Sequence, residues 1–245
     1  MCKFYHYNCG FWGLIAVLLT SCHGIFGGVF DDPDDLGPDA GNTIYVDASD
    51  WWNWYYIDFS NPDAPKKPYR IPDTLTSDWD GASRMVVNLY DVFGEGLSVH
   101  EEVGSAKIDR QPEPDKWDIA IHRDNVRTNG GSVLETKYNS IDDLPADISD
   151  LLEQDFSADV ADTYSVWVKQ DSMVNGYVGC QAIEINRVLS GWLRFDIPPI
   201  PPSFTYNGHV FIVRFSDGRV MALRLANYAS AVGVKCCMTI EYKFL

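Results

Sequence analysis

The stretch from Trp117 to Gly131 constrains this chain most. Trp117, Ile119 and Ile121 alternate with Asp118, Ala120 and His122. A period of two sends successive side chains to opposite faces of a strand, whereas a helix would need apolar residues three and four apart. The alternation therefore predicts a half-buried strand, with Trp117, Ile119 and Ile121 on the core face. Arg123, Asp124 and Arg127 follow within a few residues. Charges this dense beside an apolar strand are best tolerated when they pair with one another. Asn129-Gly130-Gly131 closes the run with residues that accept the positive φ of a tight turn. The segment reads as a central strand, a charged corner and a turn.

The rest of the chain repeats the strand pattern. Thr43–Ala48 and the aromatic run from Trp51 to Phe59 suit a pleated surface, on which flat rings pack well. Core packing is the first role of those rings, and stacking on a sugar or a porphyrin is the second. Strands are further expected at Arg84–Leu89, Ser132–Tyr138, Tyr164–Val168, Gln181–Asn186 and Lys235–Phe244. Asp217-Gly218 between the alternating runs His209–Phe215 and Arg219–Leu225 is a hairpin signal. The helix candidate is Asp147–Gln154. Prolines at 112 and 114 exclude helix before the central strand, and those at 198, 199, 201 and 202 exclude a central strand there. The fold class is all-β, an antiparallel single domain over 43–245 with one or two short helices.

The N-terminus sets the compartment. Lys3 precedes the apolar run Phe11–Leu19, which is too short for an ordinary membrane-spanning helix and fits a secretory signal. Leu19-Thr20-Ser21-Cys22 follows at once and is similar to the bacterial lipobox. Residues 1–21 then form a lipoprotein signal peptide, and Cys22 is the lipidation site. Residues 22–42, with the acidic run Asp31–Asp35, form an acidic flexible tether. The expected contact with a membrane is through the lipid anchor alone. The formal charge of −16 argues against nucleic acid as a partner. Beyond Cys22 the cysteines are Cys180, Cys236 and Cys237. Adjacent strand cysteines face opposite ways, so Cys236 and Cys237 do not suit a mutual disulfide. A bridge from Cys180 to either stays open, and buried free thiols are the preferred reading.

No G-x-S-x-G, Walker loop or H-E-x-x-H is present, so the chain is expected not to be an enzyme. The block Trp117-Asp118-x-Ala120-x-His122-Arg123-x-x-Val126-Arg127-x-Asn129 resembles the signature of the HmuY-like lipoproteins, surface haem-binding proteins of Bacteroidetes. The likeness runs from about Thr43 to Leu245, and residues 61–116, longer than the family's usual connection there, then read as an inserted hairpin. It implies an outer-membrane, outward-facing lipoprotein that binds haem for iron acquisition, with an outer-membrane transporter as a partner. It also implies axial ligands in two loops. Met173 falls at the first. The second follows Gly191-Trp192-Leu193-Arg194-Phe195, where Ile197 and Ile200 stand and cannot ligate iron. His209 and Met221 are the nearest alternatives along the chain, and His122 reads as structural. The competing function is a non-haem surface binding module for a glycan or protein partner, favoured by the aromatic run at 51–56.

Overall fold

The computed structural model describes residues 41–62, 66, 68–72, 84–91, 98–169, 176–196 and 203–245, with 84–91, 98–107 and 196 described by backbone alone. Cys22, Met173, Ile197 and Ile200 lie outside the described residues. The first strands are β1 (Thr43–Asp47), β2 (Asn53–Ile57), β3 (Pro68–Arg70), β4 (Arg84–Asp91) and β5 (Ser98–Lys107). The signature segment supplies β6 (Ile119–His122) and β7 (Asn125–Thr128), followed by β8 (Ser132–Glu135). Then come β9 (Ser157–Ala158), β10 (Val160–Asp162), β11 (Trp167–Lys169) and β12 (Tyr177–Ile185). The chain ends with β13 (Leu193–Asp196), β14 (Ser203–Tyr206), β15 (Val210–Arg214), β16 (Val220–Ala229) and β17 (Lys235–Phe244). Ser149–Leu152 and Arg187–Ser190 are single helical turns.

Every pairing described is antiparallel. A six-stranded sheet runs β1-β17-β16-β15-β8-β9, and a four-stranded sheet runs β3-β2-β6-β7. A third sheet has the order β10-β12-β4-β5, with β11 also on β12, and β13-β14 form a separate ribbon. The four-stranded sheet is the middle layer. Tyr55 and Ile57 of β2, with Ile119 and Ile121 of β6, pack into a core shared with Phe211, Val213, Leu223 and Ile240 of the six-stranded sheet. From the other face, Trp54, Tyr56 and Ala120 enter a second core with Val166, Val168, Ile183 and Ile185.

This layering corrects the reading of β6 as half-buried, because all of Ile119–His122 is buried. Trp117 also departs from expectation. It packs in the second core beside Ala120, not with Ile119 and Ile121. The cause is a bend before β6. There the Asp118 amide donates to Ile57 O, and the Asp118 carboxylate accepts from the Phe59 amide at 2.7 Å, which breaks the alternation. The neighbouring charges do not pair with one another either. Asp118 pairs with Arg219, Arg127 with Glu113, and Arg123 donates to Ser49 O. Asp118, Arg123 and Arg127 each find their partner in another segment, since the central position of these strands puts other elements nearer than their own neighbours.

Sequence punctuation shows in the turns. Gly130 takes φ +69, and a Cβ on Gly131 would lie 2.7 Å from Arg214 O, so the second glycine is there for close approach. Gly218 at φ +91 turns the β15–β16 hairpin, with Asp217 accepting from the Arg219 amide. The interval 61–116 contains a hairpin, β4–β5, that adds to the edge of β12. The helix expected at Asp147–Gln154 shrinks to Ser149–Leu152, and the strand expected at Tyr164–Val168 begins at Trp167. Arg187–Ser190 was not anticipated. Asn186 caps it by accepting from the Leu189 amide at 2.9 Å. Cys180, Cys236 and Cys237 are buried, and none of the three is in a disulfide. Cys236 sits in the main core, where burial pushes its thiol up to about 12. Cys237 faces the other way, toward Asp47.

Candidate functional site

The β13–β14 ribbon positions the site. Two strands alone are marginal in water and need a packed face. Phe195 and Phe204 are direct cross-strand partners, with ring centroids 5.1 Å apart. Phe195 meets Trp51 at 6.5 Å and Trp167 at 5.5 Å, both edge to face. Phe204 stacks on Tyr228 of β16 at 6.1 Å, and Tyr206 meets the same ring at 5.2 Å. The result is a continuous aromatic wall built from four separate parts of the chain. Trp51, Phe195, Phe204 and Tyr228 are half-buried, and Tyr206 is exposed. Such rings offer planar apolar area to a ligand, and Tyr also offers a polar tip.

Cations rim the wall although the chain as a whole is acidic. The Arg123 guanidinium carbon lies 3.6 Å from the Trp51 ring centroid, and Lys235 Nζ lies 5.0 Å from that of Tyr228. Trp52, next to Trp51, carries Arg70 at 4.4 Å and Lys169 at 5.8 Å. Lys235 is exposed, whereas Arg123 is buried and donates to Ser49 O, so Lys235 is the cation on the wall's own rings that reaches solvent.

His122 and His209 are the histidines whose side chains are described. His122 is fully buried, its Nε2 within 2.9 Å of Trp51 O, and burial drives its pKa down to about 4. This is the structural role expected of it. His209 sits one residue ahead of β15 instead of within a strand, and its Nδ1 lies 2.7 Å from Glu135 Oε1. Met221 is 0% exposed in the main core. Among the described residues, no group of three or more His, Cys, Asp or Glu converges as a metal site would require.

A concavity of about 340 Å³ lies at the opposite end of β6 and includes Asp58, Asp115, Asp118, Asp217 and Arg219. Arg219 spans it, bound to both Asp118 and Asp217. It is an ion-pair seam between the middle layer and the β15–β16 turn.

The wall was only partly legible. The run at 51–56 drew attention as a stacking surface, and Trp51 does belong to the wall. Phe204, Tyr206 and Tyr228 were missed. Nothing in local spacing joins residues of the ribbon to the middle of β16, although alternating Phe204 and Tyr206 did mark one face of a strand.

Layered antiparallel sheets with an aromatic wall along the β13–β14 ribbon define an all-β scaffold. The chain belongs to the HmuY family, whose model, described as HmuY protein, matches residues 50–242. Solved structures agree. A candidate HmuY-like heme-binding protein of Bacteroides vulgatus ATCC 8482 is 30% identical, with a TM-score of 0.53, over 86% of this chain and 94% of that one. A candidate lipoprotein of Bacteroides fragilis NCTC 9343 is 29% identical, with a TM-score of 0.56, over 86% and 91%. The apo form of a HmuY analogue of Tannerella forsythia shares the fold at 22% identity and a TM-score of 0.59, over 86% and 98%. No curated protein matches the chain.

Proposed function

We propose that this protein is a surface lipoprotein that binds haem or a related porphyrin on the aromatic wall, and that it acts by binding, not by catalysis. The observation that carries the reading is the unbroken series Trp51–Phe195–Phe204–Tyr228 with Arg123 and Lys235 against its end rings, in a member of the HmuY family. A porphyrin is flat, apolar across its face and anionic at one edge. Aromatic contacts hold the face, and exposed Lys235 attracts the acidic edge. The haem iron would contribute its own coordination chemistry, and Met173 is the residue proposed to meet it. Met173 follows β11 in the chain, the strand whose Trp167 packs against Phe195. With a single thioether in place of paired ligands, binding is weak and favours the ferrous state, because sulfur is a soft donor.

The anchor belongs to the same proposal. Acylated Cys22 holds the domain at the outer membrane, facing outward, with residues 22–42 as the tether, and an outer-membrane transporter takes the ligand onward. A haemin titration followed by absorbance tests the reading. A saturable Soret shift supports it, and unchanged spectra in both oxidation states overturn it. A second reading has a specific observation behind it. The described His and Met residues near the wall are all engaged elsewhere, which favours a non-haem ligand, a glycan or protein partner stacking on the same rings.

A further inference from the structure

We propose that Trp51 is a ligand-contacting residue of the wall and that Arg123 is its positioning residue; this rests on the porphyrin reading above. Arg123 occupies the two-residue turn between β6 and β7, where His122 pairs with Asn125. It takes φ +53, while Asp124 is not among the positive-φ residues. Glycine is the residue that takes this first position of a hairpin turn without strain. An arginine there costs conformational energy, and such strain persists only where surrounding contacts hold it. The contacts are specific. Arg123 is 7% exposed, its Nη1 donates to Ser49 O at 2.6 Å, and its guanidinium lies over the Trp51 ring.

The same short segment is fixed at two further points. His122 Nε2 binds Trp51 O at 2.9 Å, and the Ala48 amide donates to Cys236 O at 3.0 Å. Cys236 is the other non-glycine residue with positive φ, at +67. Both strained residues therefore flank the segment that presents Trp51. Its ring is half-buried and touches Phe195 edge to face, so its remaining surface is available to a ligand. The guanidinium lies over one face of the ring and restricts it, which leaves the other face for a ligand.

The test uses haemin and iron-free protoporphyrin IX as separate probes on the full chain, with Trp51→Ala, Trp51→Phe, Arg123→Gly and Trp51→Ala/Arg123→Gly. Glycine relieves the turn strain, so Arg123→Gly folds. Trp51→Ala and Arg123→Gly should each weaken both probes by roughly tenfold, as loss of one aromatic contact does. Trp51→Phe should recover part of the loss. The double variant should bind like Trp51→Ala, because a positioning residue has nothing left to position. Losses that add in the double variant, or variants that bind both probes as tightly as wild type, overturn the inference. Failure of wild type to bind either probe overturns the porphyrin reading itself and is a different result. Loss confined to haemin, with protoporphyrin IX unaffected, assigns the effect to iron ligation and also overturns it.

Discussion

Arg219 in the β15–β16 turn closes on Asp118, the acid that precedes β6, with Nη1 3.3 Å from Oδ2 and Nη2 on Oδ1. Asp118 also accepts from the Phe59 amide, so one carboxylate joins the end of β2, the start of β6 and the turn of the outer sheet. Asp118 is 5% exposed and Arg219 lies at the surface, so the two partners are not equivalent. Arg219→Ala leaves a buried acceptor with a backbone amide alone, and a loss of about 1–3 kcal/mol is expected. Asp118→Ala removes both contacts and should cost at least as much. Chemical denaturation of the two variants and their double reads the coupling. Additive losses would mean that the pair does not act as a unit.

Trp117 is 7% exposed and meets Tyr56 edge to face at 5.0 Å, with Arg127 5.0 Å from its ring. Trp117→Ala should cost about 3–5 kcal/mol by emptying a large core volume. Differential scanning calorimetry reads it as a lower thermal midpoint. An unchanged midpoint would place Trp117 outside the second core.

His122 and Asp124 give stability opposite pH slopes. Burial lowers His122 from 6.5 to about 4, with Arg123 also lowering it and Asp50 raising it. The unfolded chain then binds the proton first, so this contribution is lost as pH falls from 6.5 to about 4. Burial raises Asp124 from 3.8 to about 6, with Arg123 opposing. The native chain binds that proton first, so stability is gained as pH falls through the same range. The two partly offset each other in the wild type. In Asp124→Asn the offset is gone, and the thermal midpoint should fall more steeply between pH 6.5 and 4 than in wild type. Parallel curves would contradict the burial of one group or the other.

Cys22 is expected to be the first residue of the mature protein and to carry acyl chains, from its place directly after the apolar run Phe11–Leu19. More than one chain is needed for a stable anchor. Mass spectrometry of protein extracted from membranes should find acylated Cys22 at the N-terminus. Recovery of unmodified protein free in the medium would rule the anchor out.

The elements legible in the sequence are those specified by local chemistry. Asp217-Gly218 marked the β15–β16 hairpin, and the alternation from Lys235 to Phe244 marked β17 to the residue. The limits were set by contacts between distant segments. A single alternating strand looks half-buried unless its second cover is known. The cover for Ala120 comes from Val168 of β11 and from Ile183 and Ile185 of β12, far along the chain. The bend at Asp118 depends on Phe59 and Arg219, so no window around Trp117 could have shown which core it enters. The cap at Asn186 was available as a signal for Arg187–Ser190, since asparagine followed by an apolar turn begins many helices. The wall depends on a ribbon and on β16 meeting in space, and only Trp51 and Phe195 lay in stretches that drew attention.

The most direct test of haem binding on this wall is a haemin titration of wild type and Met173→Ala, before and after dithionite. Wild type should show a weak saturable Soret shift that strengthens on reduction, because a thioether prefers ferrous iron. Met173→Ala should lose that gain on reduction while keeping the part that comes from stacking on Trp51, Phe195, Phe204 and Tyr228. Identical spectra for the two proteins would remove Met173 from the site, and no spectral change in wild type in either oxidation state would contradict haem binding on this scaffold.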